Sequence, residues 1–164
     1  MKKYLASFCA LIVLMSCGAQ NKSKKVESFE VDLTKKYNSL SEQERKVLIE
    51  KATDYPFTGD YYQKKESGVY LCRMCNNPLY HSADKFDAHC GWPSFDQEIK
   101  GNVRRVPDAD GSRTEIICAN CNGHLGHVFE GEGFTDKNTR HCVNTSSLRF
   151  VPEEKMGNLP EIIR

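Results

Sequence analysis

Two Cys-x-x-Cys pairs constrain the fold of this 164-residue chain more than any other feature. Cys72 and Cys75 form the first pair, Cys118 and Cys121 form the second, and 42 residues lie between them. Each short turn can place two thiolates at one edge of a tetrahedron, so the two pairs together can bind one structural zinc ion through four sulfur atoms. The sequence therefore predicts a zinc site that joins two distant segments of one domain.

Two other arrangements remain open for these four cysteines. One pair could be a redox motif of the thioredoxin type, although the strand–helix–strand pattern that would flank such a motif is missing. Both pairs could also be disulfides in an oxidising compartment. A disulfide within a Cys-x-x-Cys closes a very short loop and stabilises little, whereas four-thiolate coordination joins distant segments. We favour zinc for that reason.

A short helix is predicted near the start of the folded domain. Ser41 is a typical N-cap residue, and a glutamate follows three positions later, so the two can form a capping box. Val47, Leu48 and the aliphatic part of Lys51 then support a helix. We expect it to end before the Tyr-Pro dipeptide at 55–56, because the residue before a proline disfavours the helical conformation.

Short strands are predicted beyond the helix. Runs rich in β-branched and aromatic residues alternate with turn signals such as Asn-Pro, Asp-Gly and Asn-Gly. The predicted strands cover residues 69–71, 103–106, 114–117, 127–129 and 147–151. A loop or turn at Asp110–Gly111 is expected to join two of them. The sequence therefore indicates a mainly antiparallel β domain with a helical N-terminal segment.

The charge balance argues against nucleic acid as a partner. Lysine and arginine together number 23, aspartate and glutamate 22, and the net charge is +1. A nucleic-acid site needs a basic stripe, often interleaved with aromatic residues, and the sequence has no such stripe. We therefore expect no binding of nucleic acid.

The first 17 residues carry a targeting pattern. Lysines at positions 2 and 3 precede an apolar run over 4–15, which is too short to span a hydrocarbon core of about 30 Å. The run ends in Leu-Met-Ser-Cys, which resembles the lipidation motif of bacterial lipoproteins. We therefore expect a signal peptide over 1–17 and a lipid on Cys17 that anchors the protein to a membrane. The alternative is an ordinary signal peptide that is cut elsewhere.

This pattern divides the chain into three parts. Residues 18–32 follow the signal peptide, contain few apolar residues and are expected to form a flexible tether. The folded domain is expected to cover 33–164. An exported and acylated protein of this kind would lie in the bacterial cell envelope and face the periplasm or the exterior.

Two cysteines, Cys90 and Cys142, remain outside the metal pairs and the N-terminal segment. In a strand, Arg140, Cys142 and Asn144 would share one face, so a guanidinium would lie beside the thiol and lower its pKa. Two imidazoles, His124 and His127, are candidate proton donors. A second metal site and buried core histidines are the alternatives for the imidazoles. Cys90 could likewise be a small buried hydrophobe.

Four motifs occur together with the two Cys-x-x-Cys pairs. They are PFTG at 56–59, CGWPSF at 90–95, GHLGHVF at 123–129 and RxCVN at 140–144. In this order they resemble the B-type methionine sulfoxide reductases, which reduce the R epimer of methionine sulfoxide. The resemblance covers about residues 40–150. It implies two antiparallel sheets, one structural zinc ion held by the four Cys-x-x-Cys thiolates, and an electron donor of the thioredoxin type.

The resemblance also implies roles for individual side chains. Cys142 matches the nucleophile and Cys90 the resolving cysteine. Trp92 matches an indole that packs on the substrate methyl group, and Phe129 is expected to bind substrate beside it. The polar residues around the thiol and the sulfoxide oxygen match His124, His127, Arg140 and Asn144. The clearest departure is His141, where the family usually has tyrosine or phenylalanine; its side chain is expected on the opposite strand face from Cys142.

These residues allow a complete reaction. Cys142 would attack the sulfoxide sulfur, a histidine would protonate the oxygen, and a sulfenic acid would form on Cys142. Cys90 would then form a Cys90–Cys142 disulfide that an external dithiol reduces. We expect a monomeric enzyme that repairs oxidised proteins or peptides. The rival interpretations are a zinc-ribbon module that binds a protein partner, and a general thiol–disulfide oxidoreductase.

Overall fold

Nine strands and one α-helix make up the part of the chain that the computed structural model describes, residues 29–108 and 110–164. The predicted signal peptide, Cys17 and the first part of the predicted tether (18–28) lie outside the described residues. Within the described part, none of the helices has the length and apolar character needed to cross a membrane.

The strands form two antiparallel sheets. The smaller sheet has the order β2-β1-β9 and the larger one the order β3-β4-β8-β7-β6-β5. The strand bounds are β1 Gly68–Cys72, β2 Pro78–His81, β3 Lys85–Phe86, β4 Ser94–Phe95, β5 Val103–Pro107, β6 Thr114–Cys118, β7 His124–Glu130, β8 Thr139–Val143 and β9 Leu148–Pro152. Short 3-10 helices cover Ser82–Asp84, Thr145–Ser147 and Glu153–Asn158. The predicted fold class, mainly β with two antiparallel sheets and a short N-terminal helix, is confirmed.

Helix α1 covers Glu42–Leu48 and begins at the predicted capping box. Ser41 Oγ accepts a hydrogen bond from the Glu44 backbone N–H at 3.2 Å, and Ser41 N donates to Glu44 Oε2 at 2.7 Å. Val47 and Leu48 are buried. The expectation that Lys51 supports the helix is wrong, because Lys51 lies beyond the C-cap with a φ of 59° and its Nζ reaches Glu115 Oε2 at 2.9 Å.

The two sheets share an aromatic core. Tyr80 and Phe95 stack with ring centroids 4.3 Å apart, and Tyr70 contacts Phe95 edge to face at 5.0 Å. His141 belongs to this core: its side chain is fully buried and its Nδ1 lies 3.2 Å from Tyr80 Oη. Because side chains alternate along β8, His141 faces away from Cys142, as expected.

Burial keeps His141 neutral and gives a prediction for stability. The pKa of His141 is lowered from 6.5 to about 4, mainly by burial, although Glu98 lies 3.1 Å from its Nε2. Between pH 6.5 and 4 the unfolded chain binds a proton that the folded chain excludes. The free energy of unfolding should therefore fall by up to roughly 3 kcal/mol over this range. The His141→Phe variant should lack the decrease in the free energy of unfolding that His141 causes. Urea unfolding at several pH values measures this. Identical pH dependence of the unfolding free energy in both proteins would contradict the prediction.

Candidate active site

The register of the larger sheet places four side chains in one row. Cys142 on β8 lies opposite Ser94 on β4 and opposite His127 on β7, and His127 in turn lies opposite Glu115 on β6. These pairings cross four neighbouring strands, so residues far apart in sequence become neighbours. Cys142 thus has a neighbour on each side, Ser94 and His127.

The Cys142 thiol opens into a cavity of about 130 Å³. The predicted residues that line it are Trp92, His127, Phe129, Cys142 and Asn144. Three further residues, which the sequence did not single out, complete the lining: Thr53, Gly126 and Arg113. Gly126 is required by close packing, because a Cβ at this position would lie 2.0 Å from the Cys142 carbonyl oxygen. The cavity therefore joins a thiol, an imidazole and two aromatic rings.

Cys90 lies beside Cys142, at the start of the turn that leads into β4. Its Sγ is 3.6 Å from Ser94 Oγ and 3.8 Å from Arg140 Nη1. The hydrogen bond with Cys142 is the main cause that lowers the pKa of Cys90 to about 5, with smaller contributions from Ser94 and Arg140. The same hydrogen bond, together with burial, raises the pKa of Cys142. The two thiols therefore titrate as a pair, in which ionisation of one thiol disfavours ionisation of the other.

Arg140 acts on Cys142 in the expected direction, because its charge and a hydrogen bond lower the pKa of this thiol, but the net shift is upward. The hydrogen bond with Cys90 and burial outweigh this effect, and Arg140 Nη1 lies 3.8 Å from Cys90 Sγ. The Arg140 guanidinium is held by Glu132 through contacts of 2.7 Å and 2.9 Å and lies 4.5 Å from the centre of the Phe129 ring.

His127 is the imidazole that lines the cavity. Its Nε2 lies 3.2 Å from Asp108 Oδ2, an oxygen that also accepts from Arg113 Nη2 at 2.8 Å. Burial first, and then the nearby Arg113 charge, lower the pKa of His127 despite the carboxylate. His127 is thus a neutral imidazole at pH 7, and its Nε2 carries the proton because a carboxylate can only accept.

His124 lies behind His127 instead of in the cavity. It is 2% exposed, its Nδ1 is 2.7 Å from Glu115 Oε1, and its ring centroid is 5.6 Å from that of His127. Burial alone would raise the pKa of Glu115, but hydrogen bonds from His124 and Lys51 reverse the shift and lower it. The structure therefore places His124 as a support for the His127 ring, whereas the resemblance implied contact with the sulfoxide oxygen.

Asp54, which the sequence did not single out, connects two predicted site residues. Its carbonyl oxygen accepts from Trp92 Nε1 at 3.0 Å, and its N–H donates to Asn144 Oδ1 at 2.9 Å. Asn144 Nδ2 also donates to the Leu125 carbonyl at 3.1 Å. The buried Asp54 carboxylate accepts from Ser146 N and Oγ at 2.8 Å and 2.7 Å. Asp54 thereby fixes both the indole and the amide that border the cavity.

The four Cys-x-x-Cys thiols meet at a second place, between the two sheets. Cys72, Cys75, Cys118 and Cys121 are buried, and their Sγ atoms lie within 4.8 Å of one another. The two turns are equivalent: the Asn76 and Asn122 N–H groups donate to the carbonyls of the first cysteine in each pair, both at 2.9 Å. This cluster can bind a metal ion, and it is the one such group among the described residues.

Comparison with known proteins agrees with this geometry. A family model described as the SelR domain matches residues 40–152. "Peptide methionine sulfoxide reductase B2, chloroplastic" of Arabidopsis thaliana is 52% identical over 115 residues, which are 70% of this chain and 57% of that protein. "Peptide methionine sulfoxide reductase B3" of the same plant is 54% identical over 114 residues, 69% of this chain and 65% of that protein.

A yeast protein matches over a longer stretch. "Peptide methionine sulfoxide reductase 2" of Saccharomyces cerevisiae is 48% identical over 139 residues, 79% of this chain and 82% of that protein. The chain spans less than two thirds of the length of the two plant proteins. The matched segment contains both Cys-x-x-Cys pairs and every residue of the cavity. The chain therefore belongs to the SelR domain family, the family of the B-type methionine sulfoxide reductases.

Proposed function

We propose that this protein reduces the R epimer of methionine sulfoxide in oxidised proteins and peptides. The observation that carries the proposal is the cavity in which the Cys142 thiol meets Trp92 and His127, with a second thiol, Cys90, against it. The sulfoxide methyl group fits the apolar face of the indole, and the sulfoxide oxygen requires a proton donor. The names of the relatives support the same reaction.

The first step is the attack of Cys142 on the substrate. Cys142 loses its proton, and its sulfur attacks the sulfoxide sulfur so that a sulfur–sulfur bond forms. The sulfoxide oxygen takes up this proton, which the imidazole of His127 in the cavity wall can relay through water. The Cys142 sulfur–oxygen bond then forms while the sulfur–sulfur bond and the bond between the substrate sulfur and the oxygen both break. Methionine leaves and Cys142 becomes a sulfenic acid, so the substrate is reduced by the oxidation of one cysteine.

The second step regenerates the reduced protein. Cys90 attacks Cys142 Sγ, a disulfide forms, and the sulfenic oxygen departs as water. An external dithiol of the thioredoxin type then reduces the disulfide by exchange. Both Cys90 and Cys142 are only partly buried, so such a donor would reach the disulfide from solvent.

The recycling role of Cys90 gives a test of this function. The Cys90→Ser variant should form one equivalent of methionine from stoichiometric R sulfoxide, because Cys142 remains. Its steady-state turnover with a thioredoxin-type donor should fall by at least about a hundredfold, because no disulfide forms. Methionine counted by mass spectrometry and donor oxidation followed by absorbance measure the two quantities. Wild-type steady-state turnover in the variant would show that another thiol resolves the sulfenic acid.

A single zinc ion is the metal that the buried four-cysteine cluster fits. The Sγ atoms of Cys72 and Cys121 are 3.6 Å apart, and those of Cys75 and Cys118 are also 3.6 Å apart. A tetrahedron with zinc–sulfur bonds of about 2.3 Å has edges of about 3.8 Å. Four protein ligands leave no open position, so zinc would stabilise the junction of the two Cys-x-x-Cys turns and take no part in the reaction.

The N-terminal pattern supports a location for the reaction. The basic residues at 2–3, the apolar run over 4–15 and Cys17 support export, acylation and attachment to a membrane of the bacterial cell envelope. The folded domain would then face the periplasm or the exterior on the tether. Incorporation of labelled palmitate into the wild-type protein and its absence in Cys17→Ala is the expected result; equal labelling would exclude acylation at this residue.

A further inference from the structure

Glu132, in the loop between β7 and β8, binds two nitrogens of the Arg140 guanidinium. Glu132 Oε2 accepts from Arg140 Nε at 2.7 Å and Glu132 Oε1 accepts from Nη2 at 2.9 Å. The Arg140 side chain is about nine-tenths buried and lies 4.5 Å from the Phe129 ring centroid and 5.8 Å from that of Phe134. A guanidinium with two nitrogens bound by one carboxylate and its faces against aromatic rings has little freedom to rotate.

The remaining guanidinium nitrogen is directed at the thiol pair. Arg140 Nη1 lies 3.8 Å from Cys90 Sγ. Glu132 thus fixes the orientation of the guanidinium, which keeps Nη1 against Cys90, while Arg140 also hydrogen-bonds Cys142. The fixed positive charge favours a thiolate at Cys90.

The same loop is anchored a second time, through ion pairs of Lys137. Lys137 Nζ lies 3.0 Å from Asp84 Oδ1 and 2.9 Å from Asp96 Oδ1, next to strands β3 and β4. These ion pairs attach the loop to the segments that flank β3 and β4, and they restrict the movement of Glu132.

We propose that Glu132 is a positioning residue for disulfide formation, which through Arg140 holds a positive charge against the resolving thiol Cys90. The inference rests on the proposed function, because it concerns the step that follows methionine release. In that step the Cys90 thiolate attacks Cys142 Sγ, the sulfur–sulfur bond forms, and the sulfur–oxygen bond breaks. The departing hydroxide takes up one proton and becomes water, so Cys90 is oxidised while the sulfenic sulfur is reduced.

Other charged groups near the pair do not replace this one. From β7 the neutral His127 faces Cys142, and Glu130 binds Arg105 and Thr139. From the turn before Cys90, Asp87 and His89 pair with each other, and both side chains are more than half exposed. Such exposed charges are screened by solvent. Arg140 is the charge that contacts the pair, and Glu132 is the carboxylate that holds it.

Two effects of Glu132 on Cys90 predict opposite results when Glu132 is removed: positioning of Arg140, and direct repulsion between the Glu132 carboxylate and the Cys90 thiolate. A carboxylate near a thiolate disfavours it, so loss of the negative charge alone would make Cys90 more reactive. Loss of the anchor would let the guanidinium move away and make Cys90 less reactive. The positioning role therefore requires slower chemistry in the Glu132→Ala variant.

The first experiment follows both steps after rapid mixing with one equivalent of R methionine sulfoxide peptide at pH 6. Wild type and Glu132→Ala should both form one equivalent of methionine. Disulfide formation, counted by acid quench and mass spectrometry of alkylated thiols, should be about fivefold slower in the variant, the size that a partly exposed ion pair supports. Equal or faster disulfide formation in the variant would overturn the inference, whereas no methionine from either protein would overturn the proposed function.

The second experiment needs no sulfoxide. In a Cys142→Ser background, iodoacetamide reacts with the Cys90 thiolate, and its rate against pH should shift upward by about 0.7 pH unit when Glu132 is also replaced by alanine. Glu130→Ala is the matched control, because it removes a carboxylate of the same hairpin that binds Arg105 instead of Arg140, and it should leave the profile unchanged. A shift of equal size in both variants, or none in Glu132→Ala, would overturn the positioning role.

Discussion

Replacement of Cys142 with serine is expected to lower single-turnover methionine formation by at least about a thousandfold, the usual cost of removing a catalytic nucleophile. A serine hydroxyl at this position is a poor nucleophile towards sulfur, and it cannot carry a stable sulfenic acid. The cavity itself should remain, since Trp92 and Asn144 are held by Asp54 and not by the thiol.

The matched control for this variant is Cys90→Ser, which removes the partner thiol and leaves Cys142 in place. Each variant should retain its metal and its cooperative unfolding transition, so the comparison isolates the nucleophile. Methionine formation at the wild-type rate by Cys142→Ser would contradict the assignment, and so would loss of single-turnover activity in Cys90→Ser alone.

Replacement of Cys118 with serine is expected to cause the largest loss of stability. Cys118 is fully buried and its Sγ lies 3.6 Å from the Cys75 Sγ. Loss of a thiolate ligand weakens metal binding, and the binding free energy of a structural zinc ion is also folding free energy. We expect a loss of at least about 4 kcal/mol, a large fraction of the stability of a domain of this size.

Zinc content by atomic spectroscopy and thermal unfolding by circular dichroism measure this effect. The Ala119→Ser variant is the control, because it changes the same turn without touching a ligand. Zinc-free wild-type protein that unfolds at the same temperature as the zinc-loaded protein would contradict a structural metal. So would full zinc occupancy with wild-type stability in Cys118→Ser.

Local features of the fold could be predicted because their signals are local. The Ser41 capping box and the Asp110–Gly111 connection depend on residues a few positions apart, and the structure contains both. The short strands β3 and β4 were not predicted as strands, because two residues each carry no period. Lys51 was misassigned because an apolar stem at helical spacing does not reveal that its charged end bonds Glu115 on β6.

Residues that line the cavity could be predicted from the sequence, but the residues that hold them in position could not. Motif spacing identified Cys142, Trp92 and His127, which the structure brings to one cavity. Asp54 and Glu132 act through partners whose positions depend on the tertiary fold, so no sequence pattern revealed them. The lowering effect of Arg140 on the Cys142 pKa was predicted, but the larger opposing effect of Cys90 was not, for the same kind of reason. The alternation along β8 placed Arg140 on the correct face, but only the turn at Cys90 shows which thiol its Nη1 contacts.

The most direct test of the proposed reaction is single-turnover methionine formation from separated R and S epimers of a methionine sulfoxide peptide. The protein would be fully reduced beforehand, and its zinc content measured on the same sample. The account predicts one equivalent of methionine from the R epimer, none from the S epimer, and a Cys90–Cys142 disulfide in the product. No methionine from either epimer, with zinc bound and the thiols reduced, would contradict it and favour a zinc-ribbon module that binds a protein partner.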